Sequence, residues 1–346
     1  MYIRTIQHAV PTHKVTNDDI LETFRQQSVG RLSPAEFSKL DSQVRDTLAT
    51  AGTQVRYKLA PGEKAINLVL DAGRRALAAA DLKPKDVDFL IYTGVGRGWI
   101  EPAMANVVQS ELKMPNATCF DMLDACASWL RAMQIARSLI QNGTYKRGMI
   151  VNCEASLVRS FWCSEIKDAA DLKHRVAQFT IGEAATATIV TDENPDDDFY
   201  FNFKNFGEHY NLCMIPLANV NDFLPGDPDP RFAASQFFSL SRELVVTTVK
   251  KIAEVYAADP HFKGRCFDIA FAHEASQKAS EVLVKHLHLP KGVYYSLHPR
   301  FGNCVSASVP LGMSMAFQEG RLERGDHTLI VVGSAGVTVG LCSFTF

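Results

Sequence analysis

Hydrophobic and polar positions along the chain form two alternating kinds of segment. Short runs of branched apolar residues, typical of buried strands, lie at Phe89–Thr93, Gly148–Val151, Ile269–Ala272 and Thr328–Val332. Each run follows a segment with helical spacing of its apolar residues, and these segments are Ala65–Ala80, Cys126–Gln141, Leu244–Ala257 and Ser306–Gln318. Strands that alternate with helices of this length predict α/β units with largely parallel sheets.

Two more apolar runs, Ala184–Thr191 and Val337–Phe346, are expected to close each sheet as antiparallel strands. Three regions lie outside this pattern. They are a polar, helical region at residues 20–62, an irregular region at residues 155–180 that holds Phe161, Trp162 and Phe179, and the loop Asn219 to Arg231. Insertions of this kind on an α/β core often build the substrate entrance, which is our expectation here.

The pattern occurs twice. Leu112-Lys113-Met114-Pro115 precedes Cys126 in the first copy, and Leu287-His288-Leu289-Pro290 precedes Asn303 in the second. We therefore align Cys126 with Asn303 and expect a site shared by two pseudo-symmetric halves. The acidic, turn-rich stretch from Asp192 to Asp198 is the expected linker, so the halves span residues 1–193 and 199–346.

Composition excludes several classes of protein. The chain has 346 residues, 47% of them hydrophobic, and a net charge of −2, which does not favour nucleic-acid binding. The sequence starts without a secretory signal pattern and contains no apolar run long enough to span a membrane. The eight cysteines include no Cys-x-x-Cys pair, which argues against zinc and a disulfide framework. We expect a cytoplasmic protein that needs no metal or cofactor.

Cys126 is the strongest candidate nucleophile. It opens a strongly apolar helix pattern, and Asp124 before it is a plausible N-cap. In a first helical turn, free N–H groups and the helix dipole favour a thiolate and can receive an oxyanion. His273 ends a predicted strand, and Asn303 precedes a predicted helix. Ligands bind at such positions in α/β sheets, and a thiolate with histidine and amide donors suits acyl transfer.

The motifs together resemble the thiolase superfamily, and within it the β-ketoacyl-acyl-carrier-protein synthase III-like condensing enzymes. The nucleophile motif is Asp124-Ala125-Cys126-Ala127-Ser128, and the histidine motif is His273-Glu274-Ala275-Ser276. Gly302-Asn303-Cys304-Val305-Ser306-Ala307-Ser308-Val309-Pro310 resembles the asparagine motif closely, and the glycine-rich segment Gly333–Gly340 resembles the family's C terminus. The resemblance covers nearly the whole chain and implies a five-layer αβαβα fold and a homodimer.

The resemblance also implies roles. Cys126 takes an acyl group from an acyl-coenzyme A or acyl carrier protein thioester, and the backbone N–H groups of Cys126 and Ala335 form the oxyanion hole. His273 and Asn303 bind the carbonyl of the second substrate. The family's Gly-Asp-Gly-Ala-Gly is replaced by Gly182-Glu183-Ala184-Ala185-Thr186, and the adenine-clamping Trp and Arg have no counterpart near Ser42–Ala51. Both departures argue against a standard acetyl-coenzyme A primer.

Glu101 narrows the resemblance further. Trp99-Ile100-Glu101-Pro102-Ala103 replaces the Phe-Pro-Ser segment that, in the family, reaches into the partner subunit's acyl pocket. A Glu-Pro pair here resembles the olefin-pathway head-to-head condensing enzymes and the dialkyl-pyrone-forming ketosynthases, where the glutamate is the base. An unactivated α-carbon needs its proton removed, and a carboxylate in an apolar tunnel can accept it. The alternative is an exposed carboxylate at a helix entry.

The first functional hypothesis is carbon–carbon bond formation between two acyl thioesters, with a fatty-acid or polyketide-type product. The second keeps the acyl-enzyme but transfers the acyl group to an oxygen or nitrogen nucleophile, and a decarboxylative condensation with a malonyl thioester is also open. The third is a non-catalytic subunit of a condensing pair, against which the retained Cys126, His273 and Asn303 argue.

Overall fold

The computed structural model describes residues 1–157, 166–193, 197–229 and 231–346. Parts of three predicted regions lie outside the described residues. These are Phe161 and Trp162 of the irregular segment, residues 194–196 of the linker, and residue 230 of the proline-rich loop.

Strands and helices alternate along the chain. The strands are β1 Tyr2–Ala9, β2 His13–Thr16, β3 Val55–Lys58, β4 Phe89–Thr93, β5 Thr118–Met122, β6 Arg147–Glu154, β7 Ala184–Thr191, β8 Tyr200–Asn205, β9 Cys213–Met214, β10 Phe238–Ser239, β11 Ile269–Ala272, β12 His327–Ser334 and β13 Thr338–Thr345. The α-helices are α1 Asn17–Ser28, α2 Pro34–Ala51, α3 Ala65–Ala79, α4 Met104–Glu111, α5 Ser128–Gln141, α6 Ala169–Arg175, α7 Ser241–Ala258, α8 Gln277–His286, α9 His298–Phe301 and α10 Ser308–Gln318. Single 3-10 turns lie at Pro84–Asp86, Ala125–Ala127, Val176–Thr180, Gly207–Leu212, Val220–Asp222 and Val305–Ala307.

Two mixed sheets form the frame. The first has the strand order β1-β7-β6-β4-β5, and the second has the order β11-β12-β13-β8. The strand pairs β4–β5, β4–β6 and β11–β12 are parallel, whereas β7 and β13 pair antiparallel with both of their neighbours. The expectation of antiparallel closing strands is confirmed. The expectation of largely parallel sheets is wrong. The closing strands β7 and β13 lie inside their sheets rather than at an edge, so each forms two antiparallel pairs.

The layers follow from which faces are apolar. Helices α5 and α10 share one apolar cluster with residues of both sheets, so they form the central layer. Helices α3 and α4 cover the outer face of the first sheet, and α7 and α8 cover that of the second. Continuous apolar strands such as Phe89–Thr93, buried at every position, are what a sheet covered on both faces requires. The five-layer αβαβα fold is confirmed.

Helices α1 and α2 form a separate cap with its own apolar cluster. Each begins with a capping box, Thr16 with Asp19 and Ser33 with Glu36, which fixes its start. The polar region at residues 20–62 is therefore helical in its first part, as expected, but it ends in β3, which pairs with β2. The cap places the C-terminal end of α2 beside α8.

Around the site, equivalent elements of the two halves are separated by a constant number of residues. Strands β6 and β12 start 327 − 147 = 180 residues apart, and so do the two 3-10 turns that precede α5 and α10, at 305 − 125 = 180. Ala125 and Val305, which open those turns, both have a left-handed backbone, with φ of 44° and 48°. The counterpart of Cys126 is therefore Ser306, and the alignment of Cys126 with Asn303 is wrong by three residues.

Across the part of the chain that the structure describes, the helices are all too short or too polar to span a bilayer.

Candidate active site

The turn that carries Cys126 is held by a serine. The Ser128 hydroxyl accepts a hydrogen bond from the Asp124 N–H at 2.8 Å and donates to the Ala125 carbonyl at 2.7 Å. The Asp124 carboxylate does not cap the turn. It accepts from Arg131 Nε at 3.1 Å instead, so the predicted N-cap role of Asp124 is wrong. An arginine within reach is a stronger donor for a carboxylate than the backbone N–H groups of a single 3-10 turn.

The Cys126 thiol lies in the wall of a cavity. Burial raises the pKa of the thiol well above its usual value, and the nearby Cys213 and Glu154 raise it further. The Ala335 N–H, hydrogen-bonded to the sulfur, acts in the opposite direction and lowers this pKa. The turn and its N–H donor favour a thiolate, as expected, but desolvation in an apolar cavity acts on this pKa more strongly and in the opposite direction.

His273 follows β11 and is a neutral imidazole. Its Nδ1 lies 3.0 Å from the Val305 carbonyl oxygen, which can only accept, so the proton of the ring is on Nδ1. Burial lowers the pKa of His273 to about 4, and the bond to Val305 opposes this effect. Nε2 is thus left as an unprotonated nitrogen that can accept a proton at neutral pH.

Asn303 is fixed by its backbone and by its side-chain oxygen. Its N–H donates to the Thr180 carbonyl at 2.9 Å, and its own carbonyl accepts from the Gly182 N–H at 3.1 Å. Asn303 Oδ1 accepts from the Val305 N–H at 2.9 Å. Because the oxygen is engaged, the group that Asn303 can offer to a ligand is its NH₂, which is a donor.

One cavity of about 1320 Å³ contains Cys126, His273, Asn303 and Ala335 in its wall. Its outer wall consists of the C-terminal end of α2 and of facing sides of α7 and α8, and most of the lining side chains are apolar. The structure therefore brings together the four residues that the sequence assigned to one site, although they lie up to 209 positions apart (335 − 126 = 209).

Glu101 is not brought to this cavity within its own chain. It is exposed, in the loop between β4 and α4, where the Trp99 indole N–H donates to the Pro102 carbonyl at 2.8 Å. Trp99 and Ile100 beside it are also exposed, and Ile100 has 65% of its surface accessible. An apolar loop tip of this kind is typical of a contact with another molecule.

Sequence reasoning missed Glu154, Val305 and Cys213. Val305 supplies the backbone groups that hold both His273 and Asn303. Glu154, fully buried at the end of β6, accepts a hydrogen bond from the Ser306 hydroxyl. The sequence repeat contained a signal for Glu154, because Glu154 and Ser334 occupy matching strand ends in the two copies. The sequence contained no comparable signal for Cys213. Among the described residues, no three His, Cys, Asp or Glu side chains converge as metal ligands would.

Two family models match the chain. The model for 3-oxoacyl-[acyl-carrier-protein (ACP)] synthase III matches residues 120–205, which include Cys126. The model for the C terminal part of the same enzyme matches residues 263–346, which include His273 and Asn303. The β-ketoacyl-[acyl-carrier-protein] synthase III of Clostridium perfringens is 25% identical over 294 residues, or 84% of this chain and 86% of that protein. The corresponding protein of Helicobacter hepaticus is 23% identical over 320 residues, or 89% and 91%.

Solved structures show the same fold. The 3-oxoacyl-[acyl-carrier-protein] synthase III of Aquifex aeolicus superimposes with a TM-score of 0.81 at 22% identity, over 99% of both chains. OleA of Xanthomonas campestris gives 0.82 at 20% identity, over 99% of this chain and 96% of that one. The two family models and the order of the motifs identify the chain as a β-ketoacyl-[acyl-carrier-protein] synthase III-like condensing enzyme, which is an acyltransferase.

Proposed function

We propose that Cys126 is acylated by an acyl thioester and that the acyl group is then joined, by Claisen-type condensation, to a second acyl or β-ketoacyl thioester. The observation that carries this proposal is the shared cavity wall. A thiol with an N–H donor on its sulfur, a neutral imidazole and an amide donor face one apolar space.

Acylation needs the thiol proton to leave. The unprotonated Nε2 of His273 accepts it, the sulfur attacks the thioester carbonyl, and the N–H groups of Cys126 and Ala335 stabilise the oxyanion. The carbon–sulfur bond of the donor breaks, and the carrier thiolate leaves and takes a proton from solvent, so the proton from the thiol stays on His273. In this scheme His273 becomes a donor only after it has taken up a proton, because its resting Nε2 is bare.

Condensation needs a carbanion at the second substrate. Glu101 of the partner subunit removes the α-proton, while His273 and the Asn303 NH₂ donate to the thioester carbonyl and stabilise the enolate. The enolate carbon attacks the acyl-Cys126 carbonyl, a carbon–carbon bond forms, and the Cys126 thiolate is released. The product is a β-ketoacyl-type thioester or a compound derived from it, such as a β-keto acid or a pyrone.

The size of the cavity supports long acyl groups. Its volume of about 1320 Å³ exceeds the roughly 300–1,000 Å³ of ordinary ligand pockets. Its lining residues on α7 run from Ser241 to Glu254, a length of about 20 Å at the helical rise. A variant of Xanthomonas campestris OleA, which shares this fold, is solved with bound lauric acid and lauroyl-CoA.

The mouth of the cavity suits a phosphate-bearing carrier. Arg242 and Lys250 on α7 and Lys278 on α8 line the cavity and are exposed, beside the carboxylates of Asp46 and Glu254, the latter 4.0 Å from Lys250. Cations at an open rim attract the phosphates of coenzyme A or of a carrier protein's prosthetic arm, and also an acidic carrier protein surface. Acyl-coenzyme A or acyl carrier protein is thus the proposed donor.

A homodimer is part of the proposal. Strand β5 is an edge strand, paired on one side with β4, and its other side offers free backbone groups to a second chain. The exposed loop with Trp99, Ile100 and Glu101 lies between β4 and α4, in the same part of the fold. The division into halves at residues 193 and 199 stays a prediction.

Intact mass spectrometry against acyl thioesters of graded length tests the proposal. The chain should gain one acyl mass, and Cys126→Ala should gain none. Glu101→Ala and Asn303→Ala should acylate but release no condensed product. Acylation of Cys126→Ala at the full level would remove the nucleophile assignment.

The products separate the remaining readings. Self-condensation with an acyl donor alone supports the proposal. Condensation that requires a malonyl thioester supports the decarboxylative alternative, and full condensation by Glu101→Ala would exclude its role as base. Hydrolysis alone points to an oxygen or nitrogen acceptor.

A further inference from the structure

A single strained residue connects the two candidate binding groups. Val305 donates its N–H to Asn303 Oδ1 at 2.9 Å and accepts from His273 Nδ1 at 3.0 Å through its carbonyl. Its φ of 48° is left-handed, which is unfavourable for a β-branched residue. Such a conformation is unfavourable and persists only where neighbouring contacts enforce it. The contacts that enforce it therefore set the positions of Asn303 and His273.

Glu154 supplies those contacts at the next residue. One carboxylate oxygen accepts from the hydroxyl of Ser306 and from its backbone N–H, the latter at 3.3 Å. The other oxygen accepts from the Val95 N–H at 3.1 Å, which ties the carboxylate to the loop after β4. Asn152 donates to the Ser306 hydroxyl at 2.7 Å. Ser306, directly after Val305, is thus held by both its side chain and its backbone.

The other half of the molecule uses the same position for the same purpose. Ser334, the counterpart of Glu154 at the end of β12, accepts from the Ala127 N–H at 3.3 Å and donates to the Asp124 carbonyl at 3.1 Å. It thereby holds the turn that carries Cys126. In both cases the strand end of one half holds a turn of the other half that opens with a left-handed residue, but only the first half supplies a group that can ionise.

Glu154 does not touch the substrate space. It is fully buried, with 0% of its surface accessible, and lies outside the wall of the cavity that holds Cys126. Glu154 therefore has no direct catalytic role. It can act on the site only through its hydrogen bonds to Ser306, the neighbour of Val305.

We propose that Glu154 is a positioning residue, whose ionised carboxylate orients Asn303 and His273 through Ser306 and Val305 and so supports condensation. This inference rests on the proposed function of those two residues. The ionised form can accept all of its N–H and O–H donors at once. Protonation puts a hydrogen on one oxygen and removes an acceptor site from the cluster.

The ionisation of Glu154 falls in an accessible pH range. Burial raises the pKa of Glu154 to about 7, against the hydrogen bonds from Ser306, Val95 and Gly96. The groups that face it are the Cys153 and Cys126 thiols, the Cys304 thiol and the Tyr92 phenol, and burial raises the pKa of each. They stay neutral near pH 7, so the carboxylate is lost as the pH falls through about 7 while His273 is still neutral.

The kinetic test starts from pre-acylated enzyme and follows condensation between pH 6 and 8. The rate should rise about tenfold over this range, as expected for one group with a pKa near 7. Glu154→Gln should condense at least tenfold more slowly at pH 8 and without the pH dependence, and its acylation should fall less than its condensation, because Asn303 acts in condensation alone whereas His273 acts in both steps. Ser306→Ala should show the same split between acylation and condensation.

The spectroscopic test does not depend on activity. In protein labelled with ¹⁵N-histidine, the His273 ring should show a proton on Nδ1, and its shifts should change with a midpoint near pH 7. Glu154→Gln should remove that midpoint and alter the shifts. If the original chain acylates but never condenses, the proposed function fails while this signature still decides the positioning role.

Asp259→Asn is the matched control. Asp259 is also a buried carboxylate with several donors, since it accepts from the Tyr200 hydroxyl, the Asn202 amide and the His261 N–H. This cluster lies outside the cavity wall, so the variant should leave the His273 signature and the ratio of condensation to acylation unchanged. An unaltered signature and pH profile in Glu154→Gln would overturn the inference, and so would an equal loss of acylation and condensation.

Discussion

At the scale of single residues, the site depends on backbone conformations that are individually unfavourable. Ala125 and Val305 are non-glycine residues with left-handed backbones; the first opens the turn that carries Cys126, and the second opens the turn that follows Asn303. Glycines nearby serve a different need, which is close approach. A Cβ on Gly182 would lie 1.8 Å from the Phe301 carbonyl oxygen, and the Gly182 N–H donates to Asn303. The absence of a side chain at Gly182 therefore allows the segment that holds Asn303 to pack against the backbone of Thr180 and Gly182.

Gly182→Ala should destabilise the protein and displace Asn303. The Phe301 carbonyl would have to move by more than an ångström, and this would displace the segment that holds Asn303. We therefore expect the free energy of unfolding to fall by about 2 kcal/mol or more. Chemical denaturation measures this loss. Gly207→Ala, at a glycine with no atom within 4 Å of its Cβ position, should stay within about 0.5 kcal/mol. Equal stability of the two variants would contradict the close approach.

At the scale of elements, helix α7 packs against the second sheet on one side and lines the cavity on another. Of its 18 residues, only Thr248 and Ile252 are buried, and five further apolar side chains line the cavity, namely Leu244, Val245, Val246, Val249 and Ala253. The helix approaches β12 closely because residue 333 is glycine, where a Cβ would lie 2.0 Å from the Thr248 methyl group. The apolar pattern of α7 thus serves the ligand space as much as the core.

Val249→Phe on α7 should shorten the acyl groups that the enzyme accepts. The larger side chain fills part of the space that Val249 lines, so acylation by long donors should fall at least tenfold while short donors are unaffected. Acyl-enzyme formation across a series of donor lengths measures this. Ala257→Phe, on the exposed end of the same helix and away from the cavity, should keep the original profile. A uniform loss over all lengths in Val249→Phe would mean that the cavity does not hold the acyl chain.

At the scale of the whole molecule, one chain presents the nucleophile and its partners but leaves Glu101 outside. Within the chain Glu101 is exposed, whereas Cys126, His273 and Asn303 share a wall. A base that acts on the second substrate must reach that wall, and the proposed dimer is the means by which it does so.

Mixing two inactive variants tests this arrangement. Cys126→Ala and Glu101→Ala should each fail to condense alone. Co-expressed chains should recover about a quarter of the original activity, because half of randomly paired dimers are mixed and one of their two sites is complete. No recovery, with mixed dimers shown by native mass spectrometry, would place Glu101 and Cys126 of one chain in the same site.

The sequence predicted most of the strands and the order of the motifs. The runs at Phe89–Thr93, Ala184–Thr191 and Ile269–Ala272 end where the structure ends them, because strands buried on both faces need continuous apolar residues and leave a clear local pattern. The site residues Cys126, His273 and Asn303 were found from local motifs as well. Short or polar elements such as β3 and β5 were not predicted, since pairing with a neighbour rather than local pattern makes them strands.

Only the tertiary structure decided the pKa values of the site residues and the hydrogen bonds that hold them in place. The pKa of the Cys126 thiol is raised because burial and Cys213, from a distant segment, act on it more strongly than the N–H donor at Ala335. Glu154 meets Ser306 across 152 residues of sequence, and Ser306 rather than Asn303 is the counterpart of Cys126. The chain by itself thus determined which reactive groups exist and which strands carry them. Burial and long-range hydrogen bonds, which depend on packing rather than on neighbours in sequence, decided their protonation and orientation.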